Sequence, residues 1–152
     1  IQNAQLDEGI FELALDPTKS LKAPKRQAEV PHLNFAPLKN SLARLKITAE
    51  KYNQTTGNRT LSAKDQTSVN QMLYMTERKL TRPHGLTGRS WYKHHIYAPG
   101  FYTGYGVKTI PGVREAIEIR EFDEAGKQVT IAAEVLDSLT RQIKAILTLT
   151  AT

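Results

Sequence analysis

The chain has 152 residues, of which 39% are apolar and 24% charged, with a net charge of +6 at pH 7. That length supports one domain with a core of its own, and no apolar run approaches the roughly 20 residues needed to cross a bilayer. Cysteine is absent, which excludes disulfides, thiolate zinc sites and cysteine nucleophiles from this segment.

The chain opens Ile1-Gln2-Asn3-Ala4-Gln5, with no initiator Met and no basic-then-apolar leader. It reads as a piece of a larger protein. Charge is unevenly placed: −4 over residues 1–16, +8 over 17–64, +4 over 65–111 and −2 from 112 to the end. The Lys and Arg residues of the middle are scattered and make no basic run, so nucleic acid is not an expected partner.

The first helix is expected over about 4–15, where Leu6, Ile10, Phe11 and Leu13 share a face. Pro17, Pro24, Pro31 and Pro37 then mark an extended connection. A second helix, from about Pro37 to Tyr52, carries Leu38, Leu42, Leu45, Ala49 and Tyr52 in steps of 4, 3, 4 and 3. Residues 53–57 supply its stop. Asn53-Gln54-Thr55 and Asn58-Arg59-Thr60 match the glycosylation acceptor pattern, and read equally well as a polar turn.

A third helix is expected over about 63–81. Ser62 with Asp65 resembles a capping box, and Val69, Met72, Leu73, Thr76 and Leu80 share one face. Pro83 ends it. Residues 82–112 do not read as helix: six glycines punctuate them, with Trp91, Tyr92, Tyr97, Phe101, Tyr102 and Tyr105 between. A loop of this length inside a compact domain is often functional.

After Pro111-Gly112 a short helix is expected to about Phe122, followed by a turn at Ala125-Gly126. In the last helix Val129, Ala132, Leu136, Leu139, Ile143 and Ile146 step by 3, 4, 3, 4 and 3, close to a heptad seam. Such a seam needs a partner surface, from the other helices or from a second chain.

The search for chemistry is negative. The chain has no H-E-x-x-H, G-x-S-x-G or G-x-G-x-x-G motif, and the Gly104-Tyr105-Gly106-Val107-Lys108-Thr109 run lacks phosphate-loop spacing. Adjacent His94 and His95 point to opposite sides of an extended chain and do not converge on a metal. They read as histidines packed beneath the loop and hydrogen-bonded to backbone. Glu115, Glu118, Glu121, Asp123 and Glu124 read as a solvated helix face, paired in places with Arg114 and Arg120.

The loop carries a family resemblance. Arg82-Pro83-His84-Gly85-Leu86, then Trp91-Tyr92-Lys93-His94-His95-Ile96-Tyr97-Ala98-Pro99, then Tyr105, then Ile110-Pro111-Gly112-Val113 with Ala116 resembles the signature of the transferrin receptor-like dimerisation domain. That domain ends glutamate carboxypeptidase II and its relatives. The resemblance covers most of the chain and is specific over 82–117.

It implies an all-α fold, a distorted four-helix bundle with a long aromatic, Gly-rich loop before the C-terminal helices, with residues 1–152 as one dimerisation domain. It implies a homodimer, an upstream peptidase domain in the same chain holding two zinc ions, and no catalytic or metal-binding residue in this segment. It also implies a loop lent to the pocket for a small peptide substrate, where a Lys-Tyr pair holds the carboxylate of a C-terminal glutamate. The Tyr falls on Tyr105 and the Lys on Gly104. Gly supplies no charge, so glutamate selectivity is weakened unless Lys108 or Lys93 replaces it. Trp91, Tyr92 and Tyr97 are assigned to packing between loop and helices, and Arg82 and Arg89 to helix ends or domain contacts. Two parents fit: a zinc metallopeptidase, or a non-catalytic transferrin receptor-like protein. In either case the resemblance implies an exported, extracytoplasmic location with no membrane contact by this segment.

Overall fold

The computed structural model describes residues 1–13, 16, 18, 22–56, 60–103 and 105–150, which fall into two compact units, Ile1–Pro31 and His32–Thr152. In the first unit the helix expected over 4–15 is two short ones, α1 (Gln2–Asp7) and α2 (Ile10–Leu13). They part at Gly9, whose φ of +66° is left-handed and ends a helix at little cost in a residue without Cβ. Asn3 then holds the extended stretch in place: its Nδ2 donates to the Gln27 carbonyl at 2.7 Å and its Oδ1 accepts the Gln27 N–H at 3.0 Å. Arg26 pairs with Asp7.

The second unit is built around one helix. Helices α3 (Ala36–Thr56), α4 (Ala63–Tyr74) and α5 (Pro111–Glu118) each pack on α6 (Phe122–Thr150), α3 most extensively. A 3₁₀ turn at Glu77–Leu80 joins them there. Two short strands, β1 (Tyr97–Pro99) and β2 (Val107–Thr109), pair antiparallel within the long loop. The molecule is mostly helical, with six α-helices and this hairpin among the described residues. No helix among them is long and apolar enough to cross a membrane.

Local signals place several boundaries. Ser62 caps α4, its Oγ accepting the Asp65 N–H at 3.1 Å. Pro111 starts α5 behind Ile110, which sits at φ 49°.

Several further expectations are corrected. First, α3 continues through residues 53–56, so Asn53 and Thr55 lie in helix and not in a turn. Asn58 and Arg59 of the other acceptor match lie outside the described residues. Second, the packed face of α3 coincides only in part with the apolar stripe. Leu42 is exposed, while Ser41 and Thr48 are buried between the half-buried Leu38, Leu45 and Tyr52. The two hydroxyls stay satisfied: Ser41 Oγ accepts from Arg44 Nη2 at 2.8 Å, and Thr48 Oγ1 donates to the Arg44 carbonyl at 2.8 Å. Small side chains with satisfied polar atoms can therefore hold a close helix contact.

Third, Ala125-Gly126 is not a turn. α5 stops at Glu118, Arg120 takes the left-handed conformation at φ 64°, and α6 runs straight through Gly126. A glycine in a helix costs about 1 kcal/mol, less than burying Ala125 and Val129 beside it returns. The seam of α6 meets intramolecular partners: Val129, Ala132, Leu136 and Ile146 are buried against the neighbouring helices, with Leu139 and Ile143 partly covered. Likewise the third helix ends at Tyr74, short of 81, and Leu73 lies outside the core.

Candidate functional site

The loop between the 3₁₀ turn and α5 folds into two lobes, each closed by backbone hydrogen bonds. In the first, Thr81 bridges His94, Arg82 N–H donates to the Lys93 carbonyl at 2.9 Å, and Leu86 N–H to the Tyr92 carbonyl at 2.9 Å. Gly85 makes this possible. It lies at φ +65°, and a Cβ there would run into the Ser90 and Tyr92 carbonyl oxygens. In the second lobe β1 and β2 pair Tyr97 with Thr109, and Gly100 N–H donates to the Gly106 carbonyl at 2.8 Å.

A buried ion pair ties the lobes to α5. Arg89, 3% exposed, sends Nη2 to both carboxylate oxygens of Glu115 at 2.7 and 2.8 Å. Its Nη1 donates to the Pro99 carbonyl. The guanidinium lies 5.2 Å from the Tyr92 ring centroid and 5.5 Å from that of Phe101. Glu115 Oε1 also accepts the Phe101 N–H at 2.8 Å. Glu115 is thus not part of a solvated acidic face, because a cation in the loop offsets the cost of its burial. Arg89 likewise braces the loop from within and caps no helix. Sequence reasoning missed this pair, since the partners lie 26 residues apart and Glu115 sits in a row of similar acids.

The remaining charges of the loop are mostly engaged. Arg82 pairs with Glu134 of α6. Lys108 is buried and pairs with Glu118, and Lys93 Nζ donates to the Pro83 carbonyl. Gly104 itself lies outside the described residues. Glu124 accepts from Gln128 and Thr87, and these hydrogen bonds hold its carboxyl below the usual range.

His94 Nδ1 accepts the backbone N–H groups of Ile96 and Tyr97 at 3.2 and 3.1 Å. That matches the expectation of a histidine bonded to backbone, and it places any ring proton on Nε2. Nε2 lies 3.1 Å from Glu77 Oε1 but is poorly aligned for a hydrogen bond. Tyr97 donates to the same carboxylate at 2.6 Å, and that bond, followed by the charge of Glu77, raises the phenol pKa. His95 is buried, with Nε2 lacking a hydrogen-bond partner. Burial, then the nearby charges of Arg82 and His94, lower its pKa. Among the described residues no group of three or more His, Asp or Glu side chains converges as a metal site.

The aromatic side chains divide. Tyr92 is half-buried under Arg89, but Trp91 is 70% exposed and Tyr97 half-exposed, so packing between loop and helices does not account for either. Tyr105 is fully exposed; its backbone N–H donates to the Thr103 carbonyl at 2.7 Å while its ring projects into solvent. A largely apolar recess of about 430 Å³ lies between the lobes and α5, with Leu86, Phe101, Tyr102, Ala116 and Ile119 among its lining and Glu121 and Glu124 also on its wall. Tyr105 does not line it.

The sequence profile of the transferrin receptor-like dimerisation domain matches residues 33–144. A probable glutamate carboxypeptidase of Arabidopsis thaliana is 52% identical over 50 residues, covering 33% of this chain and 7% of that protein. A probable glutamate carboxypeptidase of Arthroderma benhamiae is 36% identical over 61 residues, covering 36% of this chain and 8% of that protein. The chain thus aligns with less than a tenth of the length of these two relatives.

Proposed function

Because the chain belongs to the transferrin receptor-like dimerisation domain family, we propose that it is the homodimerisation and accessory domain of a glutamate carboxypeptidase-like zinc metallopeptidase. The observation that carries this reading is the family match over residues 33–144, a span that takes in the two-lobed loop and most of the helical core. The two probable glutamate carboxypeptidases support the choice of parent.

In this reading hydrolysis and its zinc belong to an upstream peptidase domain, and this domain contributes pairing and one loop. Tyr105 is the residue offered to substrate. Its phenol stands clear of its own domain at the tip of a hairpin whose base is hydrogen-bonded. A phenolic O–H donates one hydrogen bond to a peptide's terminal carboxylate, worth about 0.5–1.5 kcal/mol net between neutral groups and about 1.5–3 kcal/mol with a charged acceptor. Without the ammonium that Gly104 lacks, preference for a terminal glutamate is weaker than a Lys-Tyr pair would give. An extracytoplasmic location forms part of the same proposal.

Light scattering after size exclusion, across a concentration series, tests the pairing. A doubled mass that persists until strong dilution supports a self-sufficient dimerisation module. A monomer at every concentration, for this domain and for the longer chain that carries it, would overturn the proposal.

A further inference from the structure

We propose that Arg89 is a positioning residue for Tyr105, acting through the base of the Gly100–Gly106 hairpin; this rests on the reading that Tyr105 enters a peptide pocket. One guanidinium and its partner carboxylate pin the chain on both sides of Gly100. Arg89 Nη1 takes the Pro99 carbonyl, and Glu115 Oε1 takes the Phe101 N–H at 2.8 Å. Gly100 N–H closes the hairpin on the Gly106 carbonyl at 2.8 Å, and Lys108 Cε would lie 3.1 Å from any Cβ added there. Beyond this base, Tyr102 and Tyr105 are exposed. The direction in which Tyr105 leaves the domain is therefore set mainly at the base, where Arg89 reaches α5, the end of β1 and two aromatic rings at once.

The chemistry requires arginine. Its planar fork can hold two carboxylate oxygens and still donate from the other arm, while its faces lie against rings. Lysine would keep the charge opposite Glu115 but, as a point charge, would not hold both Glu115 oxygens and the Pro99 carbonyl in one plane. Arg89→Lys thus spares the ion pair and loosens the hairpin base.

The test is steady-state kinetics of the full-length chain that carries this domain, on an N-acylated dipeptide ending in glutamate, for Arg89→Lys, Tyr105→Phe and the double variant. Tyr105→Phe should raise KM roughly tenfold to 150-fold, the size of one lost hydrogen bond to a charged carboxylate, with kcat within about twofold. Arg89→Lys should raise KM in the same way and by no more than Tyr105→Phe does. If Arg89 acts through Tyr105, the double variant matches Tyr105→Phe alone. Should Arg89→Lys fail to fold, Glu115→Asp draws back the same acceptor and is expected to show the same KM rise. A KM rise in Tyr105→Phe with none in Arg89→Lys or Glu115→Asp would overturn the positioning role and leave the proposed function standing. Multiplied effects in the double variant, or a fall in kcat with KM unchanged, would also overturn it. A silent Tyr105→Phe would remove the pocket reading, and the positioning role with it.

Discussion

Consider Arg89→Met, which keeps an unbranched side chain and removes the guanidinium. Arg89 is 3% exposed and the Glu115 side chain 11%, so water does little to screen the carboxylate left behind. That carboxylate keeps the Phe101 N–H and loses both guanidinium contacts, while the Pro99 carbonyl loses its side-chain donor. Removing one member of a buried pair costs about 3–5 kcal/mol, because the other charge stays buried. For a unit of this size each kcal/mol moves Tm by roughly 3–5 °C, so the midpoint should fall by about 10–20 °C. Adding Glu115→Leu removes the stranded charge. The remaining cost is then that of the unpaired Phe101 N–H and Pro99 carbonyl, about 1 kcal/mol each at the low end of the penalty, because Phe101 is exposed and Pro99 only half-buried. The double variant should accordingly be more stable than the single one. Thermal and urea melts followed by the helical circular dichroism signal measure both; Trp91 fluorescence is a poorer probe, since that ring is already 70% exposed. A single-variant loss below about 1 kcal/mol, or a double variant no more stable than the single, would refute the claim that burial makes this pair count.

The exposed pair Arg44–Asp137 provides the contrast: at 50% and 30% side-chain exposure, Asp137→Asn should cost only about 0–1 kcal/mol in the same melts. Gly85→Ala places a Cβ 2.6 Å from the Tyr92 carbonyl oxygen at a φ of +65°, and should cost at least about 1–2 kcal/mol, with earlier hydrogen exchange of the Leu86 and Tyr92 amides. His95 has its pKa lowered by burial, so its neutral form favours folding; stability is full above the unfolded value of about 6.5 and is lost as pH falls from there toward the lower folded value. Denaturation midpoints of the wild type between pH 7 and 5 should fall, and His95→Gln should flatten that slope; an unchanged slope would exclude His95 as its source.

Much of this organisation could be read locally. Ser62 three residues before Asp65 announced the start of α4, Pro111 the start of α5, and the 3-4 spacing from Val129 to Ile146 the buried side of α6. The glycine and aromatic content of residues 82–112 marked the segment that is not α-helical as far as Ile110, α5 beginning at Pro111, and its motifs carried the family. These signals work at short range, because capping, proline geometry and helical periodicity are properties of a few neighbouring residues.

Only the tertiary structure decided the rest. The burial of Ser41 and Thr48 in place of Leu42 depends on how closely α3 lies on α6, a property of the pair of helices and not of either sequence alone. Gly126 sits inside a helix because packing on both sides of it outweighs a propensity of about 1 kcal/mol. Glu115 became a buried partner and Glu121 stayed exposed because only the first lies opposite Arg89, across a loop that had to fold before the two could meet. Side-chain identity determines which charges can pair; the distance and dielectric that decide which of them matter arise only once the chain is packed.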